Sequence, residues 1–468
     1  MAAQYAQHPF DTLRKLSLET GLLIETRQFA EYLDNIDELK NYRRDFHYPK
    51  NKTISDVDLS LVAGEDDCIY LAGMSLGLAP KQAKNLLDEE VHKWQLCGVQ
   101  GHYTGKRPYQ HIAEFVIDQS AKLIGAKPIE VVIMNTLSVN LHFMMAAFYD
   151  PTESRHKILI ESNAFPSDHA AVESQIKFHG FDPKNSLILA KPREGEVLLR
   201  NEDIISLIEE EGDEIALILF SGVQFYTGQY FDLQSITKAG HNKGCKVGFD
   251  LAHAVGNVEL KMHEWDVDFA CWCTYKYLNS GPGSTAGAFV HEKYAYDKNI
   301  KKLTGWWGVE FKDRFHMDNE KLPIIPGARG YAVSNPALFS TIPVLASLDI
   351  FEKVGMSKII KKQRLLTGYL EYLIKCTLTS QLPSHMTHFG AKVDIITPSD
   401  VRCRGSQLSL HFSMSIDIVH KELTRRGVVC DKRQPNVIRV SPAPLYNNFT
   451  DVFKFVETLS QVLLALKH

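Results

Sequence analysis

No segment of this 468-residue chain approaches the roughly 18 consecutive apolar residues that a membrane-spanning helix requires; fully apolar runs such as Ile215–Phe220 stop far short. An excess of one charge is also missing. Against 52 Lys and Arg stand 56 Asp and Glu, for a net charge of −4, and no basic stripe exists to neutralise a row of nucleic-acid phosphates. Neither a membrane nor a nucleic-acid partner is expected. Cysteine is sparse: eight residues with no Cys-x-x-Cys pair are too few to staple a chain of this length, and they read as reduced thiols. Cys271 and Cys273 flank Trp272 in an apolar run and read as core packing. The 19 histidines contain no His-Glu-x-x-His pattern and no His/Cys set at zinc spacing, so no structural or catalytic metal is expected. The stretch up to Thr26 lacks a basic start followed by an apolar run and carries Asp11, Glu19 and Glu25, unlike a secretory or organelle peptide. The expected location is cytoplasmic.

What is present is an ordinary globular composition, with 44% hydrophobic and 23% charged residues, which excludes disordered and low-complexity classes. Residues 1–65 read as an N-terminal helical arm. Over residues 66–335, short apolar runs alternate with helix-periodic stretches: IYLAG at 69, EVVIMN at 130, HKILIES at 156, SLILA at 186, EIALILFS at 214, CKVGFD at 245, DFACWC at 268 and AGAFVH at 286. Most of these lack the in/out alternation of a one-sided sheet. They predict buried strands with helices on both faces, an α/β domain with a mainly parallel sheet. Residues 336–468 begin with a long helical stretch, about Ala337 to Leu382, weakened at Gly355 and Gly368, and continue as a small α+β domain.

Three features fall at predicted strand ends, where an open α/β sheet binds ligands. They are Ser221 in FSGVQFYTG, Asp250 followed by His253 in GFDLAHAVG, and Lys276 in WCTYKY ahead of the glycine-rich Gly281-Pro282-Gly283. Asp250 alone would be read as a loop acid or helix cap, and Lys276 alone is one of 52 basic residues. Together they suit pyridoxal phosphate, which needs a lysine for covalent attachment and a carboxylate beside its ring nitrogen. At about 4 Å and an effective dielectric of about 20 that carboxylate favours the protonated ring by roughly 4 kcal/mol. The ring can then accept electrons from a neighbouring carbanion.

The order strand-Ser, Asp-x-Ala-His, then Lys and Gly-x-Gly resembles fold-type I pyridoxal phosphate enzymes, in the branch that holds cysteine desulfurases and some aminotransferases. FPSDHAAVESQ, KPREGE, ILFSGVQFYTGQYFD, VGFDLAHAVGN, DFACWCTYKYLNSGPG and GVVCDKRQPNVIRVSPAPLYN resemble the kynureninase family more closely, with the motifs in the same order. The resemblance implies a large cofactor-binding α/β domain with a small α+β C-terminal domain. It implies hydrolysis of the Cβ–Cγ bond of L-kynurenine or L-3-hydroxykynurenine to an anthranilate and L-alanine, by a homodimer with shared active sites.

By the same resemblance Lys276 would bind the cofactor and move the substrate α-proton. Asp250 would face the ring nitrogen and His253 the ring oxygen. Leu137 and Ser138 would meet the phosphate, with Phe165 stacked on the ring and Pro166, Ser167, Asp168 and Ser221 nearby. Tyr226 and Tyr275 would lie near the phosphate and reacting carbonyl, donating a proton if their neighbours lower their pKa. Trp306 and Asn335 would come from the second subunit. Arg439 would hold the substrate α-carboxylate, unless it is used in a salt bridge within the small domain. His102, Ser334 and Asn335 would line the aryl pocket. Two positions depart from the family pattern: Met74 replaces an Asn, and Ser284 a second consecutive glycine. The alternatives are a cysteine desulfurase, for which Cys403 is the one candidate thiol, or an aminotransferase.

Overall fold

The computed structural model describes residues 8–315, 322–378 and 392–466. The chain forms two compact units, one of Gln82–Phe225 with Phe231–Glu352, the other of Met1–Lys81, Tyr226–Tyr230 and Lys353–His468. Among the described residues no helix is long and apolar enough to cross a membrane.

The larger unit is built on seven strands: β1 (Val131–Met134), β2 (Lys157–Glu161), β3 (Leu187–Ala190), β4 (Ile215–Ser221), β5 (Lys246–Asp250), β6 (Phe269–Trp272) and β7 (Ala286–Val290). Their order across the sheet is β1-β7-β6-β5-β4-β2-β3. From β6 to β3 all neighbours run parallel, whereas β7 is antiparallel to both β6 and β1. The expected mainly parallel sheet is therefore present. Apart from the edge strand β3, which is mostly half-buried, its strands are apolar and buried along almost their whole length because helices cover both faces. Phe148, from the Leu137–Phe148 helix, stacks on Phe269 of β6 with ring centroids 5.0 Å apart.

The IYLAG run at 69, expected with the large sheet, lies in the smaller unit. Only Ile69–Tyr70 is a strand, half-buried, and it pairs in parallel with Val428–Val429. The reason is that Leu71 is an anchor of the smaller unit's core. That core joins Leu13, Phe29 and Leu33 of the first two helices, Pro9–Thr20 and Arg27–Ile36, to Leu366 and Leu370 of Met356–Thr377 and to Phe455 and Leu459 of Phe449–Ala465. It also covers one face of a four-stranded antiparallel sheet ordered Asp431–Arg433, Val437–Val440, Leu408–Phe412, Val393–Ile395.

The helical stretch expected from Ala337 to Leu382 is two helices, Leu338–Val354 and Met356–Thr377, and residues 379–382 lie outside the described residues. Gly355 breaks it with φ 80° and ψ 137°, a conformation open essentially to glycine alone. Gly368 stays helical and lets Pro9 approach closely: a Cβ there would sit 2.4 Å from the Pro9 Cβ.

Candidate active site

Strands β4, β5 and β6 lie side by side and parallel, so the residues that end them share one edge of the sheet. Ser221 is in register with Asp250, and Asp250 with Cys271. Asp250 is buried, and its Oδ1 accepts from the Ala252 amide at 2.7 Å. Asp168, in the first turn of the Pro166–Phe178 helix that follows β2, hydrogen-bonds to Asp250. Burial pushes the Asp168 carboxyl well above its ordinary range; the negative charges of Asp250 and Glu161 add to this, and Lys276 opposes it. Glu161, the last residue of β2, accepts from the Ser221 hydroxyl and, at 3.3 Å, from the Ser221 amide. Its carboxyl is also raised, chiefly by burial.

Lys276 follows β6, and its amine lies 2.8 Å from Nε2 of His253. A protonated lysine donates there to an imidazole lone pair. The adjacent Tyr275 bonds to the Cys273 thiol, and burial, followed by that thiol, raises its pKa. Burial also raises that of Tyr226. The shift expected for a proton-donating phenol is thus reversed at both tyrosines, since burial disfavours the phenolate.

Two helix N-termini converge beside these strand ends. The Leu137–Phe148 and Pro166–Phe178 helices have Thr136 and Phe165 as N-caps, and neither caps its helix through its side chain. Ser138 Oγ and Ser167 Oγ, both at the second position of their helices, meet at 2.9 Å. Unsatisfied N–H groups, two dipoles and two hydroxyls together suit an anion. Phe165 is 42% exposed, with its ring edge-on to Phe225 at 5.2 Å. An amine, a buried carboxylate pair and an anion cradle together suit a ligand with a cationic ring nitrogen at one end and a phosphate at the other.

The other expected residues are more scattered. Ser334 and Asn335 line a cavity of about 320 Å³ with Asn135, Thr136, Trp307 and Arg329; His102 is not among its lining residues and packs edge-on against Tyr109 at 5.6 Å. Trp306 is 44% exposed and meets Trp307 edge-on. Tyr226 and Arg439 belong to the smaller unit. The Tyr226 carbonyl accepts from Ser409 Oγ at 2.5 Å. Arg439 is buried, and its Nε and a terminal nitrogen contact Asp431 Oδ1 at 3.0 and 2.9 Å. The intradomain salt bridge weighed as the alternative for Arg439 is therefore formed. Ser284 is buried, donates to the Ser340 carbonyl at 3.0 Å and is not among the positive-φ residues, which here are Gly281 and Gly283. Met74 is fully buried in the smaller unit. Glu161 was missed in the sequence reading, although an acid closing a buried apolar strand was a visible signal.

The fold recurs in solved pyridoxal-phosphate-enzyme structures. The apo cysteine desulfurase from Thermococcus onnurineus NA1 matches 88% of this chain and 98% of its own, with a TM-score of 0.67 at 15% identity. The C-DES mutant with glycine covalently linked to its PLP cofactor gives 0.68 at 15% identity, over 86% and 99%. Residues 69–384 match the family model described as aminotransferase class-V, so fold and site define an enzyme of that class. Residues 362–459 match the model of the kynureninase C-terminal domain. Kynureninase of Nematostella vectensis is 53% identical over 455 residues, 97% of this chain and 98% of its own. That of Homo sapiens is 50% identical, covering 97% of both chains, and that of Myxococcus xanthus 47%, covering 94% and 97%. The chain belongs to the kynureninase family.

Proposed function

We propose that this protein hydrolyses the Cβ–Cγ bond of L-kynurenine and L-3-hydroxykynurenine, releasing anthranilate or 3-hydroxyanthranilate and L-alanine, with pyridoxal 5′-phosphate as cofactor. The observation that carries this reading is the Lys276 amine held 2.8 Å from His253, at the strand ends that also carry Asp250, in a member of this family. The residues fit the cofactor. A hydrogen-bonded pair of buried carboxylates holds excess negative charge that a protonated ring nitrogen would balance, and the Ser138–Ser167 cradle suits its phosphate. When bound, the cofactor supplies an electron sink for carbanions formed on the substrate.

The chain's own groups do the rest. His253 orients the Lys276 amine, which takes and returns the proton at the substrate Cα. Asp250, backed by Asp168, holds the ring nitrogen protonated. Leu137, Phe165, Pro166 and Ser221 shape the cofactor's surroundings. We assign Tyr275 and Tyr226 to the phosphate and the reacting carbonyl as hydrogen-bond donors, a role that their raised pKa values favour over ionisation. We assign Arg439 to the substrate α-carboxylate, and His102, Ser334 and Asn335 to its aryl ring.

The active form we propose is a homodimer in which Trp306 and Asn335 serve the partner's site. The exposure of Trp306, Phe311 and Phe315, which meet edge-on in sequence, supports such an interface. All eight cysteines are free thiols, which suits a reducing compartment, and we assign the protein to the cytoplasm. The test is turnover by the cofactor-loaded protein, with fluorescence reporting the anthranilates and a coupled assay the alanine. Lys276→Ala should lower the rate at least ~1000-fold and abolish the absorbance of lysine-bound cofactor. Unchanged anthranilate production in that variant would remove the reading, and sulfide release from cysteine would replace it with a desulfurase.

A further inference from the structure

Three side chains far apart in sequence converge at the edge of the large sheet opposite Lys276. Glu130 immediately precedes β1, and His291 immediately follows β7, its antiparallel neighbour. Both therefore lie where the parallel strands begin, while Lys276 follows their C-terminal ends. His263 comes from the segment leading into β6. One ligand atom from each of Glu130, His263 and His291 lies within 4.8 Å of the others. Glu130 Oε1 is 2.9 Å from His263 Nδ1 and 3.8 Å from His291 Nδ1. The two imidazoles stack at 4.9 Å with an interplanar angle of 16°.

We propose that Glu130, His263 and His291 form a binding site for a divalent transition cation of the zinc class, which clamps the start of β1 to the end of β7. Nitrogen and carboxylate ligands about 2.0–2.2 Å from a tetrahedral zinc stand roughly 3.3 Å apart, and the two observed separations bracket that value. The carboxylate is already oriented: Oε2 accepts from the Lys127 amide at 2.7 Å and Oε1 from the Glu292 amide at 2.9 Å. Glu130 is fully buried, so the positive charge brought by a cation offsets a desolvated negative one. His291 is nearly buried, and burial lowers its pKa, which keeps the ring in the neutral form that binds metals. Its Nε2 meets the His263 carbonyl at 3.3 Å, the outer contact that sets a metal-binding ring's orientation. His263 is about one third exposed and provides the way in. On binding, the cation replaces the Nδ1 proton of His263, which moves to Nε2 of the same ring. It also displaces the Lys293 amide from His291 Nδ1, and water completes the tetrahedron. The positions 130, 263 and 291 match no metal-binding spacing, which is why no metal was expected from the sequence.

The cofactor-loaded protein, treated with a chelator, is titrated with Co²⁺ and then Zn²⁺. One equivalent of Co²⁺ per chain with the intense visible absorption of tetrahedral cobalt, displaced by Zn²⁺, is expected. His263→Gln and His291→Gln should each weaken Co²⁺ binding at least ~100-fold while leaving turnover unchanged. Absence of the tetrahedral spectrum, or a spectrum equally strong in both variants, overturns the proposal. Should His291→Gln not fold, His263→Gln decides, since its ring lies partly at the surface.

Discussion

Asp168 is hydrogen-bonded to Asp250 at the edge of the sheet where the strand-end chemistry gathers. For two carboxyl groups to bond in this way one must hold a proton, and burial, Asp250 and Glu161 together raise Asp168 well above its ordinary pKa of about 3.9. The native chain without cofactor then binds more protons than the unfolded chain. The stability linked to this proton is fully present below the unfolded pKa and is lost as pH rises through the folded one. Asp168→Asn removes this dependence. The cofactor-free variant should melt at a higher temperature than the parent at about pH 8 and at the same temperature near pH 3, by thermal scans across pH. Parallel curves at all pH values would show that the pair is not coupled.

Arg439 carries two demands on one guanidinium, the Asp431 carboxylate beside it and the substrate α-carboxylate assigned to it. Asp431 also contacts Arg433 at 3.1 Å, so it is shared between two arginines. Arg439→Lys keeps the charge and loses the planar fork. A charge-assisted hydrogen bond worth about 1.5–3 kcal/mol then translates into a KM for kynurenine raised roughly 10- to 100-fold with a smaller change in kcat. Asp431→Asn should move KM far less. If Asp431→Asn matched Arg439→Lys in full, the arginine would serve the salt bridge and not the substrate.

The strand-end residues were legible because an apolar run closing on Ser221, Asp250 or Lys276 is a local pattern, and parallel strands bring such ends to one edge. Glu161 ends its own strand in the same way, but it belongs to none of the cofactor motifs and so carries no signal beyond that strand end. Arg439 shows the limit: its position inside an apolar run signalled that an acid must pair with it, yet Asp431 becomes its neighbour only through the register of an antiparallel pair. IYLAG misled for a related reason. Its residues suit any buried strand, and membership in the smaller unit is decided by Leu71 packing against helices from both ends of the chain. Glu130, His263 and His291 were illegible because three loops, each unremarkable in sequence, meet only once the sheet has formed.

Glu371 and Arg404 form an ion pair that is almost fully buried within the smaller unit. Arg404 also donates to the Pro398 carbonyl at 3.0 Å, and Lys375 reaches Glu371 at 2.6 Å. Burial is the largest influence and alone would raise the Glu371 carboxyl, but Arg404 and Lys375 together outweigh it and hold the pKa below the ordinary value. This stability is present above the unfolded pKa of about 4.3 and is lost as pH falls through the lower folded value. Glu371→Ala leaves a buried guanidinium uncompensated and should cost about 3–5 kcal/mol in denaturant unfolding at neutral pH. The gap to the parent should narrow in acid. A cost below about 1 kcal/mol would mean that water reaches the pair.

Gly355 separates two helices at φ 80° and ψ 137°, and a Cβ built there finds no atom within 4 Å. Its substitution therefore tests backbone strain with no steric clash mixed in. Gly355→Ala should destabilise the protein by about 1–3 kcal/mol. Asparagine, which tolerates the left-handed helical region, gains nothing at this ψ, so Gly355→Asn should cost as much. Gly368→Ala offers the contrast: that glycine is helical, where alanine is intrinsically better by about 1 kcal/mol, yet its Cβ would meet Pro9 at 2.4 Å. Loss of stability there must come from overpacking. Removing the opposing Cβ with Pro9→Gly should restore Gly368→Ala in part, measured against Pro9→Gly alone, and leave Gly355→Ala unchanged. Equal rescue of both by that change would show that Gly355 is also kept for space and not for its backbone angles.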